Sequence, residues 1–109
     1  MSTTALAQQH CQPMEGQASM TLEAIEAHLL HTPGWSFMDG AITKRYSFPD
    51  FHRTMGFANA VAWVANAEDH HPDLMLSYGQ CTVRFNTHSV GGISLNDFIC
   101  AAKVDALTT

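Results

Sequence analysis

Pro72 stands directly after two adjacent histidines, His70 and His71, and separates a helix-like run from a strand-like one. A proline disfavours the α region for the residue before it, so His71 is extended and the preceding helix stops by about Asp69. The chain turns a helix-to-strand corner here, and both imidazoles project from it toward a cleft rather than a core. Histidine is the side chain whose unperturbed pKa, roughly 6.5, lets it give and take protons near neutrality. Two of them at one stiff corner are hard to explain by packing alone.

The pattern on either side of the corner sets the element order. Leu22, Ile25 and Leu29 follow helical spacing, with Ser19 or Thr21 as the cap, and Thr32-Pro33-Gly34 ends that helix near His31. Asp39-Gly40 joins the strand-like runs 35–38 and 42–48, a strong hairpin signal. Asp50 caps a second helix reaching about Asp69, whose apolar arc is broad enough for burial on more than one side. In the next run Leu74, Leu76 and Tyr78 alternate with Met75 and Ser77. Gly79-Gln80 then turns the chain into the alternation of Cys81, Val83 and Phe85, a second hairpin. Ser94 with Asp97 three residues on resembles a capping box, with Asp in the usual Glu place, and opens a last helix. The order helix, hairpin, helix, hairpin, helix predicts an α+β fold: one four-stranded antiparallel sheet with three helices on one face. Residues 1–18 are polar and read as a flexible head; residues 19–109 read as a single domain.

Composition narrows the function. The 109 residues carry only 14% charged side chains and a net charge of −5. So little surface charge predicts self-association, and five Lys and Arg without a basic run leave no nucleic-acid footprint. No stretch is apolar enough to span a bilayer, and no secretory signal opens the chain, so a cytoplasmic location is expected. Cys11, Cys81 and Cys100 are odd in number and lack CxxC spacing, which fits a reducing compartment better than a disulfide framework.

His88 ends the strand that pairs with the strand after the corner, so hairpin geometry brings it toward His70 and His71 across seventeen residues. Three imidazoles could hold zinc, but no ligand pair here has the one-turn spacing of HExxH, and a metal is the weaker reading. The stronger reading is acid–base work, in which one imidazole removes a proton while another delivers one. His10, His28, His31 and His52 read as ordinary surface or packing residues. Asp97 alone is most simply a helix N-terminal acid, and Gly91-Gly92 a turn.

The combination His70-His71-Pro72, Tyr78 six residues on, His88 ten further and Asp97 nine beyond resembles the signature of pterin-4a-carbinolamine dehydratases. The segments 87–92 and 96–99 are similar to that family too, and the resemblance extends over roughly residues 20–105. Two positions depart from the pattern: Asn66 stands where the family often has an acid, and Leu74 where it often has an aromatic. The resemblance implies assembly into homodimers or homotetramers. It also implies loss of water from 4a-hydroxytetrahydropterin to give quinonoid dihydropterin, without metal or organic cofactor. That step serves an aromatic amino-acid hydroxylase, or another pterin pathway such as molybdopterin metabolism. Some members instead act as dimerisation partners of transcription regulators. By the same resemblance His70 and His71 are the acid–base pair, His88 polarises the 4a hydroxyl, and Asp97 orients the site. Asp69, Pro72, Asn86, Thr87 and Ser89 contribute pterin contacts.

Overall fold

The computed structural model describes residues 3–108. A short helix, α1 (Thr3–Ala7), precedes α2 (Leu22–Leu29). The hairpin β1 (Ser36–Met38) and β2 (Ala41–Ser47) leads to α3 (Phe51–Glu68). The hairpin β3 (Asp73–Ser77) and β4 (Gln80–Phe85) leads to α4 (Leu95–Asp105). The four strands form one antiparallel sheet in the order β1-β2-β4-β3. The α+β class and the antiparallel sheet are those expected, with α1 as an unanticipated addition.

The predicted local signals act where the sequence puts them. Asp39 and Gly40 both have positive φ (52° and 79°), the backbone that a two-residue hairpin needs to match strand twist. The Thr21 side chain accepts from Ala24 N, and Asp50 Oδ1 accepts from Arg53 N at 2.8 Å, so both caps satisfy otherwise orphaned helix donors. The second hairpin differs by one residue from expectation. Ser77 pairs with Gln80, so the turn is Tyr78-Gly79. Gly79 is required there because Phe48 N bonds Gly79 O at 2.8 Å, and a Cβ on residue 79 would lie 2.9 Å from Phe48 O.

One sheet face is covered. Ile42 and Tyr46 of β2 and Cys81, Val83 and Phe85 of β4 are buried on it, together with Phe57, Ala58 and Val61 of α3 and Phe98, Ile99 and Ala102 of α4. β3 breaks the expected alternation: only Leu74 is half-buried, and Leu76 and Tyr78 are exposed. It is an edge strand that α3 reaches but covers only in part. Trp63 of α3 is 76% exposed, so it belongs to the outer surface of the chain rather than its core.

A polar cluster clamps the end of α4 to the sheet. Asp105 accepts from Trp35 Nε1 at 3.1 Å, from Lys44 Nζ at 2.9 Å and from the Tyr46 hydroxyl. Burial, and then the Asp105 hydrogen bond, push the Tyr46 phenol well above its ordinary range, so it stays a donor. Replacing Asp105 by Ala strands three donors in a largely buried place. Denaturant unfolding of Asp105→Ala is expected to lose roughly 2–4 kcal/mol.

Candidate functional site

The site begins with how α3 ends. Asp69 caps the helix in the left-handed conformation (φ 51°, ψ 43°), which Asp tolerates better than most residues. Its N–H returns to Asn66 O, and His70 N bonds Ala65 O at 3.1 Å, the paired closure of a Schellman motif. Two residues of backbone thus reverse the chain, and His70 enters the interior at a fixed angle.

The His70 ring is held on two sides. It stacks on Phe85 at 5.8 Å with the planes 8° apart. Its Nε2 lies 2.6 Å from Asp97 Oδ1 and donates to it, since a carboxylate accepting from its other neighbours has no proton to offer. That leaves Nδ1 as the acceptor of the neutral ring, and among the described residues no protein group bonds it.

Asp97 is fully buried, which a carboxylate tolerates only when donors replace water. Its Oδ2 accepts from Thr87 Oγ1 at 2.8 Å and from Ser94 N at 2.9 Å. Ser94 Oγ accepts from Asn96 N and lies 2.7 Å from Thr87 Oγ1, so Ser94 is the donor to Thr87. The predicted capping box is therefore present, and it serves the site as well as the helix.

The other sequence-predicted residues divide into two groups. Asp69, His70, Thr87 and Ser89 line a cavity of about 290 Å³, near the lower end of small-molecule sites. His71, Pro72, Asn86, His88 and Asp97 are not part of that lining. The exposed His71 ring lies 3.1 Å from Asn66 Oδ1, so the position that departs from the family pattern touches this histidine. His88 is exposed on a 3-10 turn, His88–Val90, one residue after the Thr87 that shares Asp97 with His70. Among the described residues no group of three or more His, Cys, Asp or Glu side chains is placed to hold a metal ion.

The rest of the cavity was not anticipated. Its opposite wall is the segment 11–15, with Glu68 and Asn96 between. Cys11 N donates to Glu68 Oε1 at 2.7 Å, and the His10 ring to Glu68 Oε2 at 2.9 Å. Gln12 exchanges two hydrogen bonds with the Asn96 side chain, at 3.0 and 2.7 Å. Lys103 Nζ bonds Ala7 O and lies 3.9 Å from Glu68. No residue pattern marks such long-range contacts, although Glu68 and Asn96 flank the motif residues.

With this geometry in view, the sequence profile of the pterin 4 alpha carbinolamine dehydratase family matches residues 18–107. The chain belongs to that family. A Nitrosomonas eutropha protein provisionally named as pterin-4-alpha-carbinolamine dehydratase is 48% identical over 104 residues, covering 94% of this chain and 92% of that one. One from Stenotrophomonas maltophilia with the same provisional name is 51% identical over 106 residues, covering 94% and 91%. The crystal structure of a transcriptional coactivator/pterin dehydratase from Brucella melitensis superposes with a TM-score of 0.79 at 31% identity, covering 84% of this chain and 99% of that one. A pterin dehydratase-like RuBisCO assembly factor of the alpha-carboxysome shares the fold alone, with a TM-score of 0.56 at 20% identity over 67% of this chain and 84% of that one. Among the described residues no helix is long and apolar enough to cross a membrane.

Glu68 gives the docked segment a pH dependence. Burial raises the Glu68 carboxyl, but the Cys11 N–H, the His10 ring and Lys103 together hold it below the ordinary carboxylate range. A folded-state pKa below the unfolded value contributes stability above the unfolded value of about 4.3, which is lost as pH falls through the folded value. Amide exchange across residues 8–15 is therefore expected to quicken as pH falls below about 4, after correction for intrinsic rates, and Glu68→Gln to remove that response.

Proposed function

We propose that this chain dehydrates 4a-hydroxytetrahydropterin to quinonoid dihydropterin by histidine acid–base catalysis. The observation that supports this best is the His70 ring, which lines the cavity and is fixed by Asp97 and Phe85, with no protein group among the described residues bonded to its Nδ1. In the forward reaction a ring-nitrogen proton leaves the pterin and the 4a hydroxyl departs as water. His70 Nδ1 takes the first proton, and Asp97 stabilises the imidazolium that results, as a buried carboxylate does in a catalytic triad. His71 supplies the proton to the departing hydroxyl, and His88 binds and polarises it. Asp69, Pro72, Asn86, Thr87 and Ser89 frame the pterin, while Asp97 acts through His70. No metal or organic cofactor takes part. The product would return to the tetrahydropterin pool of an aromatic amino-acid hydroxylase, or to another pterin pathway, within the cytoplasm.

We also propose that the chain works as a homodimer or homotetramer. Exposed Phe51 and Trp63 on α3, exposed Leu76 on β3 and exposed Tyr78, which stacks on Phe51, support this, because large apolar side chains left in water favour association. Sedimentation is expected to find two or four chains per particle; a monomer at micromolar concentration would remove this proposal. The non-catalytic alternative, a dimerisation or regulatory module, would leave the His70–Asp97 pair without a task.

The decisive assay follows water loss from freshly generated 4a-hydroxytetrahydropterin. Purified protein is expected to accelerate it well above the buffer rate. His70→Ala and His71→Ala are each expected to lose roughly a hundredfold or more while remaining folded by circular dichroism, and exposed His52→Ala to change little. A wild-type rate equal to the blank would end the proposal, and equal activity in all three variants would end the residue assignment.

A further inference from the structure

The sequence reads its three cysteines as reduced and unconnected, yet two of them meet. Cys11 Sγ lies 3.5 Å from Cys100 Sγ, although 89 positions separate them in sequence. The third, Cys81, is buried in β4. Cys11 Sγ also donates to Asn96 O at 3.6 Å, so its sulfur is the acceptor of the Cys100 S–H. The hydrogen bond to Cys11, and after it burial, push the Cys100 thiol up, which leaves half-buried Cys11 as the sulfur that a reagent meets first. A disulfide needs about 2.0 Å between sulfurs. Closing the gap takes a small movement of the irregular segment around Cys11, with Cys100 held in α4.

We propose that Cys11 and Cys100 form a reversible disulfide site, closed by a low-molecular-weight disulfide such as oxidised glutathione, which fastens the 11–15 wall of the cavity to α4. The Cys11 thiolate attacks one sulfur of the oxidant, making a mixed disulfide and releasing one small thiol. The Cys100 sulfur then attacks Cys11 Sγ and expels the second. Two electrons pass from the cysteines to the oxidant, and their two protons end on its two thiol products. In the reduced protein the wall is held by hydrogen bonds to Glu68 and Asn96. In the oxidised protein a covalent bond does the same work and can be undone by dithiols. The exchange does not depend on the dehydratase reading, since it is read on the thiols themselves.

The test is to incubate the full chain, folded, with oxidised glutathione and then unfold it in denaturant and alkylate it. Alkylatable thiols are expected to fall from three to one, with a digest peptide joining Cys11 to Cys100 within one chain. Amide exchange over residues 8–15 is expected to slow by about tenfold, because opening that segment then requires breaking the tether. Dithiothreitol restores three thiols and the faster exchange. Cys81→Ser forms the same bridge, and Cys11→Ser does not. A persistent glutathione adduct on Cys11, a bridge between chains, or three free thiols after long exposure would each overturn the proposal. These outcomes are read on the unmutated chain, so a variant that fails to fold leaves the test intact.

Discussion

The Asp97 carboxylate is the point on which the site and much of the architecture turn. A fully buried carboxylate is costly unless donors replace the water it has lost. Three donors do so here, each from a different part of the chain: Ser94 N at the start of α4, the Thr87 hydroxyl just beyond β4, and His70 Nε2 beyond α3. Removing any one leaves the other two to solvate a buried charge. The carboxylate therefore ties the helix cap, the strand end and the corner histidine into one geometry. The same bonds that stop α4 from fraying set the tautomer of His70. Stability and the placement of the His70 ring cannot be separated at this residue.

The corner explains why adjacent histidines have different surroundings. His70 occupies the position after the left-handed Asp69 and is drawn inward onto Phe85 and Asp97. His71, one residue later on the way into β3, stays exposed against Asn66. Neighbouring residues on an extended segment point to opposite sides. A pair of identical side chains thereby becomes one ring buried against a carboxylate and one exposed to solvent beside an amide. That division suits a reaction in which one proton is taken and another given.

Local signals in the sequence were legible because they act over a few residues. Asp39-Gly40, Asp50, Thr21 and the Ser94–Asp97 box each satisfy backbone donors or positive φ nearby, and all four appear as read. The link between the corner and residues 87–97 was legible through hairpin register: Asp73 pairs with Arg84, so the chain before β3 runs alongside the chain after β4. What failed was whatever depends on the position of an element in the whole. Leu76 and Tyr78 have the alternation of a buried strand, but β3 lies at the edge, where Leu74 alone is partly covered. The cavity wall at 11–15 was illegible for the same reason. Cys11 meets Cys100, and Gln12 meets Asn96, across more than eighty residues, with no periodicity to announce it.

The family profile begins at residue 18, whereas the wall facing His70 is built from residues 11–15. The matched span carries His70, His71, His88 and Asp97, while residues 11–15 lie before it. The earlier segment lines the same cavity as Asp69, His70, Thr87 and Ser89. Its attachments are of the kind that respond to conditions: a carboxylate whose charge depends on its donors, an amide pair, and two thiols in contact. The amide pair ends on Asn96, whose N–H donates to Ser94 Oγ in the Asp97 cluster, so the segment is one residue removed from the groups that hold His70. A His70 ring fixed by Asp97 and Phe85, beside a wall held by weak and reversible bonds, leaves that wall as the part of the cavity that gives way first.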